Sequence, residues 1–420
     1  VKKQQKRNSM LHAINFTRLQ NDLETLGSIG RKEDYGLYRM AFSEGDMQGR
    51  KWLTERIEES GLELYVDEAA NVHARLNWDG KTPSVMTGSH IDTIPGAGPL
   101  DGALGVVVGL ECLRSAKELG LDFKYPLELV AFTDEEGRFG GMFGSQALTG
   151  QLTPESILNE KDLDGITISE AMAECGFNAM DALRARRSPS SLHAYVELHI
   201  EQGPVLDNRQ ISIGVVDAIA GLFKWNVKLI GAANHAGTTP MNMRQDALQG
   251  LAEVASQINR ILEEYGSDRS VATIGRVELF PGAANVVPGS VEFSLEVRDT
   301  NSDVLQTLSN AFRRTLSAVA RRRQLMFQYE VLSELEPVKC DPGIVETVTQ
   351  TVQDLEIPHT LMHSGAAHDA QMLAKITRAG MFFVPSKGGR SHSPAEWTDW
   401  EDIERGANVL LNTLIRLAKQ

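Results

Sequence analysis

Cysteine is scarce in this chain of 420 residues: Cys112, Cys175 and Cys340 are an odd number at wide spacing. Such spacing supports neither a disulfide framework nor a cysteine-based zinc site, and it makes a reducing, cytoplasmic location the expectation. Positive charge is also in short supply, with 42 Lys and Arg against 56 Asp and Glu and a net charge of −14. No nucleic-acid partner is expected, because phosphate binding needs a basic stripe that releases counterions. The short basic run Arg321, Arg322, Arg323 reads as the solvated end of a helix. Long apolar runs are missing as well. The most apolar stretch, Ala103 to Leu113, is broken by glycines and a glutamate, and it falls far short of the roughly 20 residues that cross a bilayer. No membrane partner is expected. Val1 to Arg7 is basic, but Asn8 to His12 supplies no apolar signal core, and Met10 is read as the biological start. With repeats and low-complexity tracts absent too, 42% hydrophobic and 23% charged residues describe a globular protein long enough for two or three domains.

From Ser84 to Phe132 the pattern runs strand (Val85 to Ser89), helix (Gly105 to Leu119), strand (Leu127 to Thr133), a βαβ unit that implies a parallel or mixed sheet. A further strand, Ala194 to Ile200, carries His199 near its end. The rhythm then changes to strands Ile211 to Asp217 and Phe223 to Ile230, a helix Gln245 to Tyr265, strands Val271 to Leu279 and Val291 to Val297, a helix Ser302 to Arg322 and a strand Leu325 to Leu332. Paired strands separated by helices predict an inserted, two-layer α+β domain. A helix Gly343 to Leu355, a strand Met381 to Val384 and a helix from Glu401 onward resume the α/β character. The expected organisation is an α/β catalytic domain with a central mixed sheet, formed by residues 1–211 and 331–420, interrupted by the inserted domain at 212–330.

Several polar residues fall just past predicted strand ends, the edge of an open α/β sheet where ligands collect. His90 in Gly88-Ser89-His90-Ile91-Asp92 has a carboxylate two residues on, able to fix the ring's tautomer through its second nitrogen; a histidine bonded within a turn is the plainer alternative. Asp101 follows the glycine-rich Gly96-Ala97-Gly98-Pro99-Leu100 and could turn inward to bridge two ions, or could cap the next helix. Asp134, Glu135 and Glu136 crowd three acids after an apolar strand, where repulsion favours a cation unless the turn is solvated. Adjacent carboxylates of this kind can divide the work, one binding metal and one accepting a proton from water. His392 lies in Gly388-Gly389-Arg390-Ser391-His392-Ser393-Pro394, too glycine-rich for a helix or central strand.

Taken together, GSHIDT, PLDGALG, TDEEG, ELHIEQGP, HAGTTPM, NVVPG, VRD and SHSPAE occur in order over nearly the whole chain. In this the sequence resembles the di-zinc aminoacylase and carboxypeptidase-like amidohydrolases, and within them the hydantoinase/carbamoylase branch. The resemblance implies two divalent ions per subunit. His90, Asp101 and His199 would hold one and Asp101, Glu136 and His392 the other, with Asp101 shared and Glu135 as general base. Zinc is the family's default; imidazole and carboxylate donors also suit manganese, cobalt or nickel. Peptidases of the family usually carry an acidic ligand at the position of His199, so the histidine points to ureido substrates. The resemblance further implies that Gln202, His235, Asn285 and Arg298 bind substrate, with His235 also catalytic, that Gly365 lines the pocket, and that His368 and Asp369 act behind the ligands. It implies homodimerisation through the inserted domain, which would also serve as a lid.

Arg298 is the residue type that grips a carboxylate through two parallel hydrogen bonds, although its place on the polar face of a strand equally suits a salt bridge. His235 and Asn285 can donate to an oxyanion. The expected reaction is hydrolysis of an N-carbamoyl-L-amino acid to the L-amino acid, carbon dioxide and ammonia, with allantoate or β-ureidopropionate as alternative substrates.

Overall fold

The computed structural model describes residues 11–420, so the reading of Met10 as a start lies outside the described residues. The described residues form two compact units, one of residues 11–217, 340–362 and 368–420, the other of residues 218–339 and 363–367.

In the first unit a mixed sheet runs, in spatial order, Glu63–Val66, Val72–Leu76, Leu127–Phe132, Ser84–His90, Leu192–Ile200, Ala379–Val384 and Ile213–Ile219. The four central strands, from Leu127–Phe132 to Ala379–Val384, are mutually parallel, and their flanking neighbours are antiparallel. Three of the four are buried along their whole length and Leu192–Ile200 nearly so, as expected for parallel strands covered on both faces. Their common direction brings four C-terminal ends to one sheet edge. His90 ends the first of them in sequence, Asp134 to Glu136 follow the second, His199 is penultimate in the third, and the fourth leads into the loop of His392. The helix Ala103–Glu118 is buried almost all round, as its lack of a polar stripe dictates. Its Val106, Leu110 and Leu113 share a core with Leu129, Val196, Leu198 and the C-terminal helix Trp400–Lys419.

The second unit has a five-stranded antiparallel sheet ordered Val277–Phe280, Ser290–Asp299, Gly221–Ile230, Met326–Leu335, with Val271–Thr273 also paired to Ser290–Asp299. Gly221–Ile230 and Ser290–Asp299 alternate buried and half-buried residues without interruption. The buried face packs on the helices Ala247–Ser256, Ile258–Tyr265 and Ser302–Arg323 around Trp225, Phe293 and Phe312, a two-layer α+β arrangement. Two expected elements are interrupted. The helix read as Gln245 to Tyr265 breaks at Gln257. The strand read as Val271 to Leu279 carries one extra residue between Thr273, opposite Glu296, and Val277, opposite Phe293. There the amides of Gly275 and Arg276 turn to Ser294 Oγ, at 3.3 and 3.0 Å, as in a β-bulge. Gly365, expected in the returning part of the catalytic domain, belongs to the second unit.

Candidate metal centre

His90, Asp101 and His199 present ligand atoms within 4.8 Å of one another, and so do Asp101, Glu136 and His392. Asp101 belongs to both groups and divides its oxygens between them. Oδ1 faces His199 Nε2 at 3.1 Å and His90 Nε2 at 3.8 Å, while Oδ2 faces His392 Nε2 at 3.2 Å. Glu136 Oε2 completes the second group, 3.4 Å from His392 Nε2. Glu135 lies beside the first, with Oε2 3.4 Å from His90 Nε2. Apart from the 45% exposed side chain of His392, the histidine and carboxylate side chains here are at most 11% exposed.

Three features of this arrangement fit divalent cations. The first is tautomeric. His90 Nδ1 donates to the Asp92 carbonyl at 3.0 Å and His199 Nδ1 to the Ile200 carbonyl at 2.9 Å, which makes each Nε2 the unprotonated nitrogen that a metal can take; that of His199 accepts from the Gly102 amide at 3.2 Å. The second is an unmet acceptor, since Glu136 Oε1 is buried without a hydrogen-bond partner, a costly state that an ion would relieve. The third is excess negative charge. Burial, then Asp101, raises Glu136 to about 8. Burial, then Asp369 and Glu136, raises Glu135 well above its ordinary range. The imidazoles answer in opposite directions. Burial lowers His90 to about 4; in His199 burial is outweighed by the hydrogen bond to Asp101, which raises it to about 9. Carboxylates thus compete for protons where a cation would serve them all.

Local backbone conformation aims these groups. Asp134, Gln202 and His392 adopt positive φ values of 52°, 58° and 55°, a sparsely populated region that non-glycine residues keep mainly where a site demands it. Asp134 then turns its carboxylate to the Phe139 and Gly140 amides, at 3.3 Å each, away from the two groups.

Several sequence expectations change at the level of atoms. Asp92 holds the His90 ring through its backbone carbonyl; its carboxylate, 3.9 Å from Nδ1, accepts from the amides of Glu135 at 3.3 Å and Glu136 at 3.2 Å. It therefore fixes the acidic turn. Gln202, expected against substrate, donates Nε2 to Asp101 Oδ2 at 2.8 Å. Asp101 does not cap the following helix through its side chain; Gly102 occupies that position. His368 packs edge-on against His199, with ring centroids 4.6 Å apart. Residues not singled out from the sequence also converge. Buried Arg39 donates Nε to the Ile91 carbonyl at 3.0 Å, between His90 and Asp92. Glu197 accepts from Ser89 Oγ at 2.9 Å and the Ala370 amide at 2.8 Å. Glu396 accepts from the amides of Leu100, Asp101 and His392 and lies 3.1 Å from Ser391 Oγ, all on the loops of Asp101 and His392. Glu197 and Glu396 both sit inside motifs already quoted, ELHIEQGP and SHSPAE, which was the available signal.

The remaining candidates lie in the second unit. His235 pairs with Val286 in a short ribbon, and the Ala236 amide donates to the Asn285 carbonyl at 2.9 Å, so His235 and Asn285 are neighbours. His235 Nδ1 accepts from the amides of Gly237 and Thr238, at 3.0 and 3.2 Å, which puts the ring proton on Nε2. Arg298 donates Nε and Nη2 to Glu296 Oε1, at 2.8 and 2.7 Å, and Nη1 to the Gly365 carbonyl at 2.7 Å. The salt-bridge alternative is therefore realised. Of five guanidinium donors, one on each Nη is left over.

Residues 86–416 match the model of peptidase family M20/M25/M40. The chain is 37% identical over 410 residues to an N-carbamoyl-L-amino-acid amidohydrolase of Pseudomonas sp. (strain NS671), covering 96% of this chain and 98% of that protein. It is 35% identical over 406 residues to the allantoate amidohydrolase of Escherichia coli (strain K12), covering 96% and 98%. A crystal structure of an amidase of the hydantoinase/carbamoylase family from Burkholderia multivorans superposes with a TM-score of 0.88 at 35% identity, over 97% of this chain and 99% of that one.

Proposed function

The chain belongs to peptidase family M20/M25/M40, and from that premise we propose that it is a metal-dependent amidohydrolase cleaving the ureido C–N bond of N-carbamoyl-L-amino acids. The observation that carries this reading is similarity along the whole chain to an N-carbamoyl-L-amino-acid amidohydrolase, combined with two donor groups joined at Asp101. His90, Asp101 and His199 hold one divalent ion; Asp101, Glu136 and His392 hold the other. Zinc is the expected metal, with manganese, cobalt or nickel as alternatives that the same donors accept. The ions, when bound, polarise the ureido carbonyl and acidify the attacking water.

Glu135 takes the proton from that water and returns it to the departing nitrogen, and its buried, acid-crowded position gives the carboxylate the raised proton affinity a base near neutral pH needs. His235 donates its Nε2 proton to the oxyanion that develops on the attacked carbonyl, and the two amides on Nδ1 favour that tautomer. Asn285, its neighbour on the ribbon, assists. Arg298 receives the substrate carboxylate on its two remaining donors. Addition of one water yields the L-amino acid, carbon dioxide and ammonia.

Allantoate is the second reading, favoured by a near-equal identity of 35% to the Escherichia coli enzyme; it too presents a carboxylate beside ureido groups. Ammonia release from a panel of N-carbamoyl-L-amino acids, allantoate and dipeptides, after metal analysis, tests both. No turnover of any of them by the metal-loaded protein refutes the assignment. The second unit serves as lid and dimer contact. Its edge strand Met326–Leu335 leaves Met326, Val331 and Leu332 exposed, an open apolar edge of the kind that partners cover. Sedimentation of a monomer at micromolar concentration would refute that part. Among the described residues no helix is long and apolar enough to cross a membrane.

A further inference from the structure

Glu396 belongs to neither donor group, yet it holds the backbone of two of their members. Its Oε1 accepts from the amides of Leu100 at 2.8 Å and Asp101 at 3.0 Å. Its Oε2 accepts from the His392 amide at 3.3 Å and lies 3.1 Å from Ser391 Oγ. Ser391 Oγ is also 2.8 Å from Asp101 Oδ2, so the same hydroxyl joins the brace to the shared carboxylate. Glu396 is 3% exposed. A carboxylate taken out of water is costly unless its lone pairs are filled, and here every one of these donors comes from just two loops. Room for it is provided by Gly98, where a Cβ would lie 2.2 Å from Glu396 Cβ and 2.6 Å from its carboxyl carbon.

The two donor groups differ in how their members are held. His90 and His199 stand on parallel strands, each ring fixed by its own backbone bond. Asp101 and His392 stand on loops outside any strand, and it is their backbones that Glu396 ties together. From this geometry we propose that Glu396 is a positioning residue that sets the separation of Asp101 and His392. It thereby acts chiefly on the affinity of the ion on Asp101, Glu136 and His392, two of whose ligands stand on the braced loops, and less on the ion on His90, Asp101 and His199, which shares only Asp101. The inference rests on the two-ion reading above. Glutamine at position 396 keeps the shape but turns an NH2 group toward one pair of donors, so one loop loses its acceptor.

The test is zinc titration of purified wild type and Glu396→Gln against buffers of graded free Zn²⁺, with bound zinc counted per chain. Wild type is expected to bind two ions. In the variant one site loses about 10- to 100-fold in affinity, the range found when groups supporting metal ligands are removed, and the other loses clearly less. Excess Zn²⁺ restores turnover of Glu396→Gln, which it would not do for a folding defect. Gly98→Ala displaces the same carboxylate without altering its charge and is expected to give the same selective loss, so misfolding of either variant leaves the other to decide. Both variants titrating like wild type, or losing both ions in parallel, overturns the role of Glu396. Wild type binding fewer than two ions overturns the two-ion reading itself, and the proposal with it.

Discussion

Replacing Gly102 by alanine should damage the metal centre through a single methyl group. Gly102 follows Asp101 and caps the buried helix Ala103–Glu118 at φ 62° and ψ −49°, a backbone conformation that costs a residue with a side chain about 1–3 kcal/mol. The new Cβ would stand 2.4 Å from Cε1 and Nε2 of His90 and 2.5 Å from Cδ2, well inside the 3.0 Å below which real Cβ atoms essentially never approach. His90 must therefore retreat by more than half an ångström. It is 2% exposed and tied through Nδ1 to the Asp92 carbonyl, so retreat strains or breaks a hydrogen bond with a net contribution of about 0.5–1.5 kcal/mol. The combined loss in the metal-free protein is about 2–4 kcal/mol. Gly120→Ala is the control: it also has a positive φ, 60°, but nothing lies within 4 Å of its Cβ, so it carries the backbone cost alone. Urea unfolding of the metal-free proteins should rank Gly102→Ala below Gly120→Ala, and zinc titration should show the His90 site weakened in the first and intact in the second. Equal stability of the two, with unaltered zinc binding in Gly102→Ala, would refute the claim that His90 is held against that glycine.

Glu135→Gln should keep both ions, since Glu135 is in neither donor group, and lose about 10²- to 10⁴-fold in kcat, the usual contribution of a general base; zinc analysis beside steady-state kinetics checks it, and an active variant removes Glu135 from that role. If Arg298 grips the substrate carboxylate as proposed, Arg298→Ala should raise KM for carboxylate substrates far more than it lowers kcat; an unchanged KM leaves Arg298 to Glu296 and Gly365 alone. Acid stability should depend on Glu128. This carboxylate is buried, which by itself would raise it, but His73, Arg187 and Arg75 together hold it below its ordinary 4.5. A depressed carboxylate stabilises the fold above its unfolded value and loses that contribution as pH falls. Unfolding free energy should therefore drop below about pH 4.5, with a shallower slope in Glu128→Gln. His73 has the opposite sign: burial opposes its proton, but Asp67 and Glu128 outweigh burial and raise it above 6.5, so its contribution is complete below 6.5 and is lost as pH rises through the raised value. Urea titrations across pH separate the two.

How much of this was readable in advance depends on the scale of the question. Leu127–Phe132 and Ala379–Val384 are near-continuous apolar runs, whereas Ser84–His90 and Leu192–Ile200 carry polar residues along their length; strand order put His90, Glu136 and His199 at or just past strand ends, and the family resemblance joined them into one ligand set. His392 had no such support, since its loop is long in glycine and its position is set by Glu396, whose partners are remote in sequence. The bulge at Ile274 to Arg276 escaped for a related reason, because one extra residue shows only against the register of the opposing strand. The antiparallel strands Glu63–Val66, at the sheet edge, and Val72–Leu76, next to it, are four and five residues long, too short to impose an alternation on the pattern. Finest of all is the choice of atom. Asp92 was expected to orient His90, and it does, but through its carbonyl, while its carboxylate is spent on the amides of Glu135 and Glu136. Residue spacing is the same for both arrangements, so no pattern of side chains could separate them. The difference has a chemical consequence: a backbone carbonyl survives Asp92→Asn unchanged, so that substitution should leave the His90 tautomer in place and loosen only the acidic turn, whereas a carboxylate holding the ring would have been lost.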